Sequence, residues 1–167
     1  TRRSSDLHCI LGARAYNLND ERRVVLSLLT NLLGGPSANS LLNLAVRERN
    51  GLAYNIEAGF TPFSDTGLAT IYFGTDKERA DECLELIDLE LTKIRSGKLS
   101  DRLLHIAKKQ YLGQITIAME NNESYMLSAA RSFLVYNNID AMETIREKIG
   151  TVTRDEIVAV ANEIYGT

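Results

Sequence analysis

Two histidines, two cysteines, one glycine pair and a scatter of carboxylates are the groups through which this 167-residue chain could do chemistry. A hydrolytic zinc site needs two imidazoles on one helix face, a carboxylate, and a Glu to take the proton of an activated water. His8 falls on a predicted strand and His105 on a predicted helix, and neither has the neighbours of H-E-x-x-H or H-x-x-E-H. Zinc catalysis by this chain alone is not expected, and no residue is assigned as a metal ligand. There is no G-x-S-x-G elbow, and Cys9 next to His8 makes a poor thiolate pair, because adjacent strand residues point to opposite faces. The glycine pair opens "GGPSANS", residues 34–40, which lacks the Lys of a phosphate loop and follows a helix instead of a strand; helix end, turn and new helix account for it. Glu85, Asp88 and Glu90 fall on the polar side of a predicted helix and read as a solvated face.

The elements that must position any site follow from periodicity. "DLHCILGARAY" alternates as a strand with both faces largely apolar, and "NDERRVVLSLLTNLLGG" places Val25, Leu28, Leu29 and Leu32 at helical spacing up to Gly34. A shorter helix is expected from Asn39 to Glu48 with Leu41, Leu42 and Ala45 on one side. Two strands follow: one with Leu52, Tyr54, Ile56, Ala58 and Phe60 on a single face, the other alternating Leu68, Thr70 and Tyr72 against Ala69, Ile71 and Phe73. "TPFSDT" supplies the turn between them. The rest reads as helix. Thr75 and Glu78 have capping-box spacing before a stripe of Ala80, Cys83, Leu84, Ile87, Leu91 and Ile94 that ends at Gly97. Ser100 caps a long helix with Leu104, Ala107, Tyr111, Ile115 and Ala118 inside, broken near Asn121 and Asn122. Helices from Glu123 to Tyr136 and from Ala141 to Lys148 come next, and the last opens on Thr153 and Glu156 as a capping box with Val152 and Ile157 as a hydrophobic staple. The expected fold is α+β: a mostly antiparallel sheet packed against helices, with a helical C-terminal half, in a single domain spanning residues 1–167.

Composition bounds the partners. At 44% hydrophobic and 25% charged the chain can bury an ordinary core without disulfide or metal. Nineteen basic against 22 acidic residues give a net charge of -3 with no basic block, so nucleic acid is not expected as a partner. Cys9 and Cys83 fit neither a disulfide framework nor a zinc knuckle; free thiols suit a reducing compartment and favour the cytoplasm over the periplasm or an organelle. No apolar run reaches the roughly 18 residues of a membrane span, and "TRRSSDLHCI" has no signal-peptide core, so a soluble chain is expected. It starts at Thr1 with a strand close behind, which reads as a piece of something longer.

"NLLGG", "VRERNGLAYNI" and "SDTGLATIYFGT", in that order, resemble the C-terminal, non-metal-binding half of the insulinase or pitrilysin zinc metallopeptidases, a family that includes mitochondrial processing peptidase subunits. The resemblance extends more weakly from "HCILGARAY" to "VTRDEIVAVANEIY". It implies one of two similar α+β halves that close over an extended peptide, with zinc in the homologous partner half, fused or separate, and no cofactor in this chain. It also implies that Arg47 and Tyr54 reach the substrate near the zinc, where a guanidinium and a phenol can hold a peptide carbonyl and stabilise its oxyanion. Arg49 is at the wrong distance from Tyr54 to substitute for Arg47. The family commonly has Met-Ser-Ser-Arg-Leu after the glycine pair, where this chain reads Pro36-Ser37-Ala38-Asn39-Ser40, so a local ion pair there is not expected. The alternative is a scaffold or binding subunit of the same fold without peptidase activity. A small-ligand regulatory domain is disfavoured by the length of the helical half.

Overall fold

The computed structural model describes residues 6–166; residues 1–5, part of the stretch read above for a signal peptide, and residue 167 lie outside the described residues. The order is β1 (Asp6–Ala15), α1 (Arg23–Gly34), a π-helical segment (Asn43–Glu48), β2 (Ala53–Pro62), β3 (Gly67–Asp76), a 3-10 turn (Lys77–Arg79), α2 (Ala80–Arg95), α3 (Asp101–Glu120), α4 (Asn122–Tyr136), α5 (Met142–Thr151) and α6 (Arg154–Tyr165).

The α+β architecture is as expected. The strands form an antiparallel sheet in the order β1-β3-β2. Central β3 carries the alternation that sets the core: Ala69, Ile71, Phe73 and Thr75 are buried, while Leu68, Thr70 and Tyr72 face the other way. Against the buried face pack Leu26, Leu29 and Leu33 of α1, Ile87 and Ile94 of α2 and Ile157 of α6. The opposite face carries His8, whose Nδ1 meets the Tyr72 hydroxyl at 2.7 Å with the two rings stacked. A polar clasp closes one end: the Tyr16 hydroxyl donates to Glu163 Oε2 at 2.8 Å, Arg22 donates to the same carboxylate, and the Arg22 guanidinium lies 4.3 Å from the Tyr16 ring centroid. Burial and the Glu163 carboxylate push the Tyr16 phenol well above its usual range.

Several local expectations are corrected. The segment Asn43–Glu48 is π-helical and not α-helical: the Arg49 amide reaches the Leu44 carbonyl and the Leu52 amide the Val46 carbonyl, so the ladder widens before the chain turns at Gly51, whose φ is 60°. Thr75 and Glu78 form no capping box, because β3 continues to Asp76 and the Thr75 hydroxyl donates instead to the Leu52 carbonyl at 2.5 Å. Glu90 is not on a solvated face; it is buried and accepts from Lys93 Nζ at 2.6 Å. Ala118 is exposed, the inner stripe of α3 having drifted to Met119. β1 buries little of its second face, leaving Ile10 exposed. The caps at Ser100 and Thr153 form as expected, the latter as a full capping box. No helix among the described residues is long and apolar enough to cross a membrane.

Candidate functional site

The glycine pair, the π-helical segment and the start of β2 meet at one place. Gly34 ends α1 against β2 so closely that a Cβ there would lie 2.4 Å from the Ala58 amide nitrogen, and one on Gly35 would lie 2.6 Å from the Asn31 carbonyl oxygen. The glycines therefore serve close packing, since Gly35 sits at a φ of -65° that any residue adopts. Beside them opens a cavity of about 480 Å³ lined by Gly35, Pro36, Asn43, Arg47, Asn55 and Glu57 among others. Consecutive residues of β2 from Asn55 to Ala58 line it, on a strand that forms one edge of the sheet.

Arg47 reaches this cavity from the last turn of the π-helical segment, half exposed, with a loose ion pair to Glu48 at 3.9 Å. Its wall is polar: Asn55 Nδ2 donates to Glu57 Oε1 at 2.8 Å, and Asn43 Nδ2 donates to the Ala38 carbonyl at 2.9 Å. Arg49 is exposed and does not line the cavity.

Tyr54 does not share a face with Ile56, as strict alternation predicts. A bulge lies between Ala53, opposite Thr75, and Asn55, opposite Gly74, so Tyr54 is the extra residue of β2. Ala53 and Ile56 are buried whereas Tyr54 is 57% exposed. Its hydroxyl donates to Asp76 Oδ1 at 2.6 Å, and that hydrogen bond raises the phenol's pKa. Tyr54 immediately precedes the lining stretch but is not itself among the lining residues. Arg79 Nη1 donates to the Gly51 carbonyl at 2.9 Å, fastening the turn before β2 to the end of β3. Asp76 and Arg79 carry no sequence signal for these roles, because their register opposite the Gly51–Tyr54 turn depends on the bulge.

The remaining candidates do not assemble. Among the described residues no group of three or more His, Cys, Asp or Glu could hold a metal ion. His8 bonds Tyr72 on the exposed sheet face, and His105 lies exposed on α3. Cys83 is buried, and burial raises its thiol pKa, away from a reactive thiolate.

A family model described as the peptidase M16 inactive domain matches residues 2–111. An uncharacterized zinc protease of Streptomyces coelicolor is 28% identical over 165 residues, covering 99% of this chain and 36% of its own length. Among solved structures, a protease from Helicobacter pylori superposes with a TM-score of 0.84 at 19% identity, covering 96% of this chain and 38% of its own. A peptidase M16 inactive domain from Pseudomonas fluorescens gives 0.81 at 22%, with the same two coverages. This chain thus spans little more than a third of the relative and of each of these structures.

Proposed function

The chain belongs to the peptidase M16 inactive-domain family, and from that premise we propose that it is the substrate-gripping half of a zinc peptidase, completed by a homologous zinc-binding half. In this reading the zinc is held by that partner, as the zinc-protease names of the relatives suggest. The observation that carries the reading is the exposure of Arg47 and Tyr54 beside two backbone irregularities, the π-helical turn and the bulge. Such irregularities re-aim side chains at functional sites. Without the bulge Tyr54 would point with Ile56 into the core.

On closure, Arg47 would hold a carbonyl of an extended peptide lying along the β2 edge. Tyr54, released from Asp76, would donate its hydroxyl proton in a hydrogen bond to the oxyanion that develops at the scissile carbonyl. The hydrogen bond to Asp76 raises the Tyr54 pKa, so the phenol enters the site as a donor. The chain's further work is to exclude bulk water and fix the backbone of the substrate.

The test is cleavage of an unstructured fluorogenic peptide pool by this chain, by the zinc-binding half, and by both. Cleavage by the mixture alone is expected, with Arg47→Ala and Tyr54→Phe each lowering the rate on the order of a hundredfold without weakening association. Association without cleavage would make the chain a scaffold and remove the roles given to both residues.

A further inference from the structure

Helix α4 lies on the domain without a buried residue of its own. A surface helix ordinarily owes its place to an apolar stripe packed on the core. Where α4 meets α1, α3 and α5 it contributes Ser128, Ala129 and Ser132 to the wall of a cavity of about 460 Å³. Across from these small residues the wall is apolar, with Ile115 and Met119 of α3 and Ile145 of α5 half-buried and Ile149 buried. Close packing leaves few voids larger than a water molecule, whereas this volume falls in the range of small-molecule sites.

The charged groups gather at one end. Arg23, Val24, Tyr136 and Lys148 line both this cavity and a neighbouring one of about 520 Å³, so these four residues form the partition between the two and bring two cations to a common neck. Arg23 Cζ lies 4.8 Å from the Tyr136 ring centroid, and the Tyr136 hydroxyl is itself tied to the Leu18 carbonyl at 2.9 Å, so the guanidinium is held in place by a ring and shares no ion pair with a described carboxylate. Burial raises the pKa of the Tyr111 phenol in the same cavity, and a hydrogen bond with Ser27 and the Arg23 charge pull against that rise, which puts the charge on the cavity side. Lys148 Nζ meets Asp140 Oδ2 at 2.5 Å. With Arg23, Lys148 and Asp140 as its ionic residues, the lining carries one net positive charge.

We propose that this cavity binds a small amphipathic monocarboxylate, with its apolar body between α3, α4 and α5 and its carboxylate on Arg23 and Lys148 at the neck. The walls select that class. A planar guanidinium takes a carboxylate through two parallel hydrogen bonds, a single net positive charge balances a monoanion, and Asp140 stands against a phosphate dianion. The site is separate from the peptide-binding region, since no residue lines both this cavity and the one beside Arg47. A bound apolar body would add contacts to a helix that buries nothing of its own, and so would tie α4 to α1, α3 and α5.

The test titrates the chain with octanoate by calorimetry, beside octylamine and 1-octanol, which keep the tail and change the head. Saturable binding of octanoate, about tenfold tighter or more than of either control, is expected, with slowed amide hydrogen exchange along α4 and α5. Arg23→Gln should weaken octanoate binding about tenfold or more, Arg23→Lys should fall between, and Ala129→Phe should abolish binding by placing a ring where the tail lies. Circular dichroism verifies folding, and the two Arg23 variants decide the matter if Ala129→Phe does not fold. No saturable binding of octanoate, equal binding of octylamine or octanol, binding that Arg23→Gln leaves unchanged, or exchange along α4 that octanoate does not slow would each overturn the assignment. None of these readouts involves cleavage or the zinc-binding half, so the peptidase reading and this one fail separately.

Discussion

Tyr54 owes its exposure to one extra residue in a strand, and its orientation to one carboxylate. Asp76 is a positioning residue on this view, and its effect is separable from that of the phenol. Replacing it by Asn removes the charge that holds the phenolic proton, so the Tyr54 pKa is expected to fall towards the ordinary tyrosine value. Ultraviolet titration read as the difference between Asp76→Asn and the double variant with Tyr54→Phe would report it. An unmoved titration would remove Asp76 from the account. A second residue-scale expectation concerns the glycine pair. Gly34→Ala would force a Cβ against the Ala58 backbone and cost about 1–3 kcal/mol in denaturant unfolding. Gly113→Ala, in the middle of α3 with nothing within 4 Å of the added carbon, would instead stabilise by roughly 0.5–1 kcal/mol. The two substitutions are chemically identical, so opposite signs would isolate the close approach as the reason for Gly34.

At the scale of elements, periodicity and cap residues are what sequence reports well. α1, α2, α3 and α6 were legible because each has an apolar stripe and an end signal, and β3 because one face is fully buried. The departures share a cause: none is encoded within its own window. Thr75 looks like a cap until Leu52 arrives from another element to accept its hydroxyl, and the π-helical turn and the bulge at Tyr54 are set by how the Gly51 turn meets β3. The sequence therefore singled out Arg47 and Tyr54 as candidates, but it could not place them: the exposure of Tyr54 and its bond to Asp76 follow from the bulge. The α6 capping box allows a direct check. Thr153→Ala should cost about 1 kcal/mol. Hydrogen bonds from Thr153 to Glu156 lower the carboxyl pKa, so the stabilisation is present above the ordinary glutamate value and is lost as pH falls through the lowered one. Glu156→Gln should flatten that part of the acid stability curve, which chemical unfolding at a series of pH values would measure.

For the molecule as a whole, the pairing reading makes stability depend on company. A partner that binds only the folded chain raises its apparent stability with the logarithm of partner concentration over Kd, about 2.7 kcal/mol at a hundredfold excess. The thermal midpoint of this chain should rise as the zinc-binding half is added, and a midpoint indifferent to it would count against pairing. The sheet order has a temporal counterpart. β2 and β3 are joined by a short turn, while β1 must find β3 across a sequence separation that runs from Ala15 with Gly67 to Asp6 with Asp76. Closing a long loop delays the contact it leads to. The hairpin should thus zip early and β1 dock late, with the clasp of Tyr16, Arg22 and Glu163 fastening only in the last folding step. A nascent chain emerging from synthesis would carry β1 unpaired until most of this sheet existed, leaving the exposed Ile10 edge open to mispairing for that interval.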